Sequence, residues 1–216
     1  MINHQKLEIR ITWLLIFLFG AGLIFHGVPL LLSVTQYITD IFLFLVNILV
    51  LFFVARKNRM ISFWIWLTGA YLFTYFIELS GIITGKIFGN YWYGDTLLLQ
   101  LGKVPLIIPF NWLILILCTH SLARKLTSKH VLVPFLSSTV IVLFDILIEP
   151  VAMKLDYWQW EGSIIPIRNY IVWFIISFLL ASVIELLKID TNIRLLRYYI
   201  IIQVVFFTVI RFLLIP

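Results

Sequence analysis

Seven long runs almost free of charge divide this chain, near residues 11–32, 36–55, 60–78, 104–123, 131–150, 166–187 and 195–215. About 20 apolar residues carry an α-helix across the hydrocarbon layer of a bilayer, where a spanning segment must satisfy its backbone polar groups internally. The runs therefore predict an all-α, polytopic membrane protein of about seven transmembrane helices. With 62% hydrophobic and 12% charged residues and a mean hydropathy of +1.08, little of the chain is suited to water. We expect one integral membrane domain over 1–216, with no room for a soluble domain. The first run follows Lys6 and Arg10 as a secretory signal would. It exceeds a signal's apolar core and lacks an A-x-A-like cleavage site, so it reads as a retained helix.

Lysine and arginine gather on alternate connections: Lys6 and Arg10, then Arg56, Lys57 and Arg59, then Arg124, Lys125 and Lys129, then Lys188, Arg194 and Arg197. Cytoplasmic loops carry such an excess. This side, with the N-terminus, is expected in the cytoplasm and the protein in a bacterial inner membrane. The opposite side carries Lys86, Lys103, Lys154, Arg168 and Arg211, and receives two aromatic loops, 79–103 and 151–165. The net charge of +6 then reports orientation, and anionic lipid headgroups rather than nucleic acid are the expected partner.

Cys118 stands alone, so neither an internal disulfide nor a thiolate metal site can form within the chain. His4, His26, His120 and His130 are scattered, with no pair at helical spacing to converge on a metal. No metal and no cofactor is expected, and any oxygen added should come from water. A retinal Schiff base needs a lysine in the bundle, and the seventh run, 195–215, has none.

Three carboxylates, Glu78, Asp145 and Glu149, lie within or at the outer ends of the spanning runs, each followed by an aromatic loop. Acids in lipid are costly and usually functional. Asp145 and Glu149, four apart, share one helix face, and Pro150 disfavours helical geometry at Glu149, so the helix is expected to end or kink there. Two neighbouring carboxylates in an apolar place cannot both ionise cheaply, and one should hold a proton as a resident general acid. The competing reading leaves both at the interface, solvated or paired with Lys154 or Arg168. Gly81, Gly85 and Gly89 follow Glu78 and allow a tight segment, either re-entrant or at the surface. Glu185 reads as a solvated partner of Lys188 one turn on, and Asp40 as interfacial.

A weak repeat lays 60–123 over 131–187. Each unit ends a helix with an acid, Glu78 or Glu149, and continues into an aromatic cluster, Tyr91-Trp92-Tyr93 or Tyr157-Trp158-Gln159-Trp160. Each re-enters at a proline, Pro105 or Pro166, with Asn and Trp beyond: Asn111-Trp112 in one unit, Asn169 and Trp173 in the other. Two half-sites closing on one ligand are the expectation. Glu78, Asp145 and Glu149 are its candidate catalytic groups. Tyr91, Tyr93, Trp158 and Trp160 are candidate substrate contacts, with Asn111, Trp112 and Asn169. Trp and Tyr also anchor helices at bilayer interfaces, which is the competing role for any single one.

At these residues the chain resembles the carotenoid biosynthesis protein family of the bisanhydrobacterioruberin hydratase and bacterial carotenoid 1,2-hydratase type. The motifs are Glu78-Leu-Ser-Gly-Ile-Ile-Thr-Gly85, Phe88-Gly-Asn-Tyr-Trp-Tyr93, Val104-Pro105 through Pro109 to Trp112, Asp145 with Glu149-Pro150, Trp158-Gln-Trp160, and Pro166 through Asn169 to Trp173. They cover roughly 73–173. Lys103 and Ile164-Ile165 stand where Gly-Val-Pro patterns are usual, and Glu149 where an Asp-Pro is usual. The resemblance implies addition of water across the terminal C1=C2 bond of an acyclic or monocyclic carotenoid, giving a tertiary alcohol without a redox cofactor. A carboxylic acid would protonate C2, aromatic rings would face the cation at C1, and a carboxylate would activate the capturing water. A lycopene-cyclase-like enzyme shares the protonation and is the first rival. A non-enzymatic transporter would also use intramembrane acids. A membrane prenyltransferase is disfavoured, since Asp145-x-x-x-Glu149 has no second aspartate-rich motif.

Overall fold

The computed structural model describes residues 4–215. It contains seven helices: α1 (His4–Gly27), α2 (Pro29–Lys57), α3 (Ile61–Thr84), α4 (Ile107–Leu126), α5 (Leu132–Lys154), α6 (Ile167–Leu186) and α7 (Arg194–Leu214). All seven are long and apolar enough to cross a membrane, so the chain is an all-α polytopic membrane protein. Two boundaries differ from the sequence reading. The first helix ends at Gly27 rather than near 32, because Pro29 starts α2 at its first helical turn, where the missing N–H costs nothing. Residues 33–35, between the first two runs, lie inside α2; Thr35 returns its hydroxyl to the Leu31 carbonyl at 2.7 Å. Likewise α5 does not end at Glu149 but runs through Pro150 to Lys154.

The axis of the bundle is α4. It packs against α2, α3, α5, α6 and α7, and Trp112 to Ser121 are buried without interruption. A helix buried all round can be apolar all round, and Leu113-Ile-Leu-Ile-Leu-Cys118 is so. By contrast α1 lies outside, against α2 and α7. Trp13, Phe17, Ile65, Phe76, Ile175 and Phe212 stand exposed around the bundle, where acyl chains would cover them.

At the end that gathers Arg56, Lys57, Arg124, Lys125 and Arg194, side chains stitch the connections together. Asn58 donates to the Asp190 carbonyl at 2.9 Å and accepts the Asp190 N–H at 2.8 Å, and Lys57 pairs with Asp190 at 2.9 Å. Glu185 is not a solvated partner of Lys188. Its side chain is 6% exposed, in contact with Arg124 and 2.6 Å from His130 Nδ1. His120 Nε2 lies 2.8 Å from Glu185 Oε1, within ion-pair range though poorly angled for a hydrogen bond. Its Nδ1 is 2.8 Å from the Thr191 hydroxyl. The sequence expectation failed because the partners come from α4 and the α4–α5 connection, far away in the chain.

The opposite, aromatic end is closed by two short strand pairs. Strand β1 (Tyr91–Tyr93) runs antiparallel to β4 (Trp158–Trp160), with Tyr91 opposite Trp160 and Tyr93 opposite Trp158. Strands β2 (Gln100–Leu101) and β3 (Val104–Pro105) form a hairpin. Asp40 is no surface residue: it is buried in α2, and its Oδ2 accepts the N–H groups of Leu98 and Leu99 at 2.8 and 3.3 Å, pinning this hairpin to the bundle.

Candidate active site

Successive side chains of a strand alternate in direction, so Tyr91 and Tyr93 face one way and Trp92 the other. The burial follows: Tyr91 is buried and Tyr93 half-buried, while Trp92 is 52% exposed. On the paired strand Trp158 and Trp160 face the same interior. The two strands thus lower four aromatic polar groups onto the carboxylates beneath them. Glu78 Oε2 accepts from the Tyr91 hydroxyl at 2.5 Å and the Tyr93 hydroxyl at 2.8 Å. Glu149 Oε2 accepts from the indole N–H groups of Trp158 and Trp160, both at 2.8 Å. Asn169, at the start of α6, donates its amide to Asp145 Oδ2 at 2.9 Å and to Glu149 Oε1 at 3.3 Å.

The approach of β1 to α3 depends on Gly81, one turn after Glu78. A Cβ there would stand 2.7 Å from the Phe88 ring and 3.0 Å from the Tyr91 hydroxyl. The three glycines therefore have separate uses: Gly81 admits the lid, and Gly85 takes the left-handed cap of α3 at φ +62. Gly89, at φ +135, turns the chain toward β1. Of the two readings left open for this segment, the buried one holds for Phe88 and Tyr91, which line the cavity.

The carboxylates open on one cavity. It is lined by Glu78, Asp145, Glu149 and the strand aromatics, and also by Leu43, Leu115, Phe144 and Phe207. Among the described residues no lysine, arginine or histidine lines it. Lys154 and Arg168 do not neutralise the acids; Arg168 instead donates to the Gly85 carbonyl at 3.0 Å. Burial first, and the nearby Glu78 second, hold the Tyr91 and Tyr93 hydroxyls well above the ordinary tyrosine range, so both remain proton donors.

All ten candidate residues of the sequence reading line this one cavity. Tyr91, Tyr93, Trp158, Trp160 and Asn169 direct their polar atoms to the acids rather than into open space. Asn111 accepts from Asn47 at 3.4 Å, and Asn47 in turn accepts from Tyr199 at 2.9 Å, a buried polar chain across α2, α4 and α7. Trp112 stacks on Trp173 with centroids 3.3 Å apart, and Trp173 stacks on Phe88 at 5.0 Å. Phe88 and Trp173 stood in the sequence motifs without being singled out. Thr39, Leu43, Gln203 and Phe207 also line the cavity, and no local signal marks them, since α2 and α7 look like ordinary spanning helices.

A family model described as "Carotenoid biosynthesis protein" matches residues 38–215, all but α1 and the first part of α2. A protein of the archaeon Haloarcula japonica described as bisanhydrobacterioruberin hydratase is 30% identical over 112 residues, 48% of this chain. The match spans 38% of that protein's length, well under half of it. No solved structure matches the chain significantly.

Proposed function

The chain belongs to the carotenoid biosynthesis protein family, and from that premise we propose that it is a carotenoid hydratase, adding water across the terminal C1=C2 bond of an acyclic end group. The observation that carries this reading is the convergence of three carboxylates on one aromatic cavity whose described lining contains no lysine, arginine or histidine. Carboxylates so placed cannot all be ionised, because each charge lacks solvent and repels its neighbours. At least one therefore holds a proton and can act as a general acid beside an ionised base, the combination that hydration of an unactivated alkene requires. Protonation at C2 leaves a tertiary cation at C1. Trp160, Tyr91 and Trp112 line the cavity, and a ring face turned to the cation would contribute about 2 kcal/mol.

The cavity also suits the shape of the substrate. It descends from the strand lid to Leu115 and Gln203, near the middle of α4 and α7, so an end group can meet the acids while the polyene lies among the helices. We place the basic end in the cytoplasm of a bacterial inner membrane, by the excess of Lys and Arg there, and the reacting end group toward the outer face. We also read the two carboxylate–aromatic sets, Glu78 with Tyr91/Tyr93 and Glu149 with Trp158/Trp160, as half-sites of an internal duplication over 60–123 and 131–187. The two aromatic clusters pair with each other across β1–β4, which supports that reading.

Expression in a host that accumulates lycopene, followed by mass analysis of the pigments, tests the function. A gain of one water per reacted end, with oxygen from labelled water, is the expected result. Unchanged mass with altered absorption would mean cyclisation instead, and oxygen arriving from dioxygen would exclude hydration.

A further inference from the structure

Hydrogen-bond counting separates the three carboxylates, which chemistry alone leaves interchangeable. Indole and carboxamide N–H groups can only donate. Glu149 Oε2 receives two of them, from Trp158 and Trp160, which fill both of its lone pairs. Its Oε1 receives a third, from Asn169. A proton on Glu149 Oε2 would displace an indole that has no other acceptor, leaving it buried and unpaired, and one on Oε1 would compete with the Asn169 amide. Asp145 differs. Only its Oδ2 is engaged, by Asn169, and Oδ1 has no protein partner among the described residues, while the side chain lines the cavity. A proton on that oxygen displaces nothing. Glu78 is a third case: its donors are the Tyr91 and Tyr93 hydroxyls, which can rotate and also accept, so it can gain or lose a proton without orphaning either one.

Resting on the hydratase reading, we infer that the three acids have fixed and different tasks: Asp145 Oδ1 delivers the proton, Glu149 stays a permanent negative charge, and Glu78 takes the proton from water. Asn169 is the positioning residue that holds the first two apart in state while joining them in space. The step balances. The Asp145 Oδ1–H bond breaks as the C1=C2 π pair forms the C2–H bond, and C1 is left cationic beside the Glu149 charge. A water oxygen then bonds to C1, and one of its protons passes to Glu78 Oε1. The net addition is one water, and exchange with solvent returns the proton from Glu78 to Asp145 before the next turnover. The paired indoles thus serve to keep Glu149 charged, and the paired phenols to keep Glu78 exchangeable.

Infrared spectroscopy of the purified protein in lipid nanodiscs, without substrate, locates the resting proton directly. The wild type should show the C=O stretch of a protonated, buried carboxyl group that shifts on exchange into heavy water. Asp145→Asn should remove that band and Glu149→Gln should keep it. A band that survives Asp145→Asn, that is lost in both variants, or that is missing from the wild type overturns the assignment. Asn169→Ala should move the band and lower kcat roughly tenfold with KM unchanged, an effect of about one charge-assisted hydrogen bond. A raised KM with kcat and the band unmoved would make Asn169 a substrate ligand and end its positioning role. These readings stand apart from the reaction itself. If pigments never gain water while the band behaves as expected, the hydratase reading fails and the location of the proton survives.

Discussion

Two buried carboxylate clusters sit at opposite ends of this bundle, and they are built on opposite principles. At the basic end one acid, Glu185, is surrounded by Arg124, His120 and His130. At the aromatic end three acids share a cavity with no lysine, arginine or histidine in its described lining, and their donors are phenols, indoles and an amide. An acid paired with Arg124 and ringed by imidazoles has its charge settled and can only hold elements together. Acids massed without cations keep a proton in play among themselves. The difference teaches that burial of a carboxylate in a membrane helix does not by itself mark chemistry; the company it keeps does.

The comparison is sharpest in Glu78→Gln against Glu185→Gln. Glu78→Gln should lower turnover by 10²-fold or more, on the order of the contribution of a general acid or base, and leave thermal stability nearly unchanged. Glu185→Gln should do the reverse, costing about 1–3 kcal/mol of stability through the Arg124 guanidinium it leaves unpaired, with turnover preserved. Pigment assays beside thermal unfolding in detergent check both. If Glu185→Gln abolishes turnover at full stability, the division between the two ends is wrong. A smaller effect is expected at the donors: Trp160→Phe keeps a ring on the cavity wall and removes one N–H from Glu149, so the rate should fall roughly tenfold. Rates equal to wild type would assign Trp160 to packing alone.

Gly81→Ala separates lid closure from chemistry. Its Cβ meets the Phe88 ring and the Tyr91 hydroxyl, so overpacking of about 1–3 kcal/mol should loosen β1 and reduce turnover with all three acids intact. Limited proteolysis between Gly85 and Asn90 should quicken in parallel; an unaltered cleavage rate would show that the lid tolerates the methyl. The mildest effect concerns alkali. Tyr91, Tyr93 and Tyr157 are held above the ordinary tyrosine range, chiefly by burial. A group whose proton is held more tightly in the folded state adds stability that is present below the unfolded value, near 10 for tyrosine, and is lost as pH rises above it. Ultraviolet titration should therefore show these three ionising only as the protein unfolds, with no effect on stability at neutral pH.

The seven spans and the grouping of Glu78, Asp145 and Glu149 with the aromatic loops were legible because each rests on a local pattern: a run of apolar residues, an acid within it, a cluster of rings after it. What stayed hidden depends on distant partners. The break between α1 and α2 turns on Pro29, with only His26 and Gly27 before it to interrupt the apolar run. Pro150 reads as an end or a kink of the helix, and α5 runs one turn past it to Lys154. Glu185 looked solvated because Lys188 is near in sequence, whereas His120, Arg124 and His130 reach it through the fold. The strand pairing is the clearest case. Three-residue strands carry almost no periodic signal, and the register of Tyr91 with Trp160 joins positions that only the assembled bundle brings together.

That register has a consequence for how the protein is made. Tyr91 and Trp160 are 69 positions apart (160 − 91), and at the usual pace of synthesis of about 5–20 residues per second the first waits roughly 3–14 s for its partner. During that interval α3 is already in the bilayer with Glu78 near its end, and the loop bearing Tyr91 and Tyr93 has nothing to pair with. The lid is thus a late event of biogenesis, completed only when α5 has crossed and its following loop has emerged. Until then the nascent chain holds a half-built site open, and a ribosome paused between the two strands would leave Glu78 with only its own loop for cover.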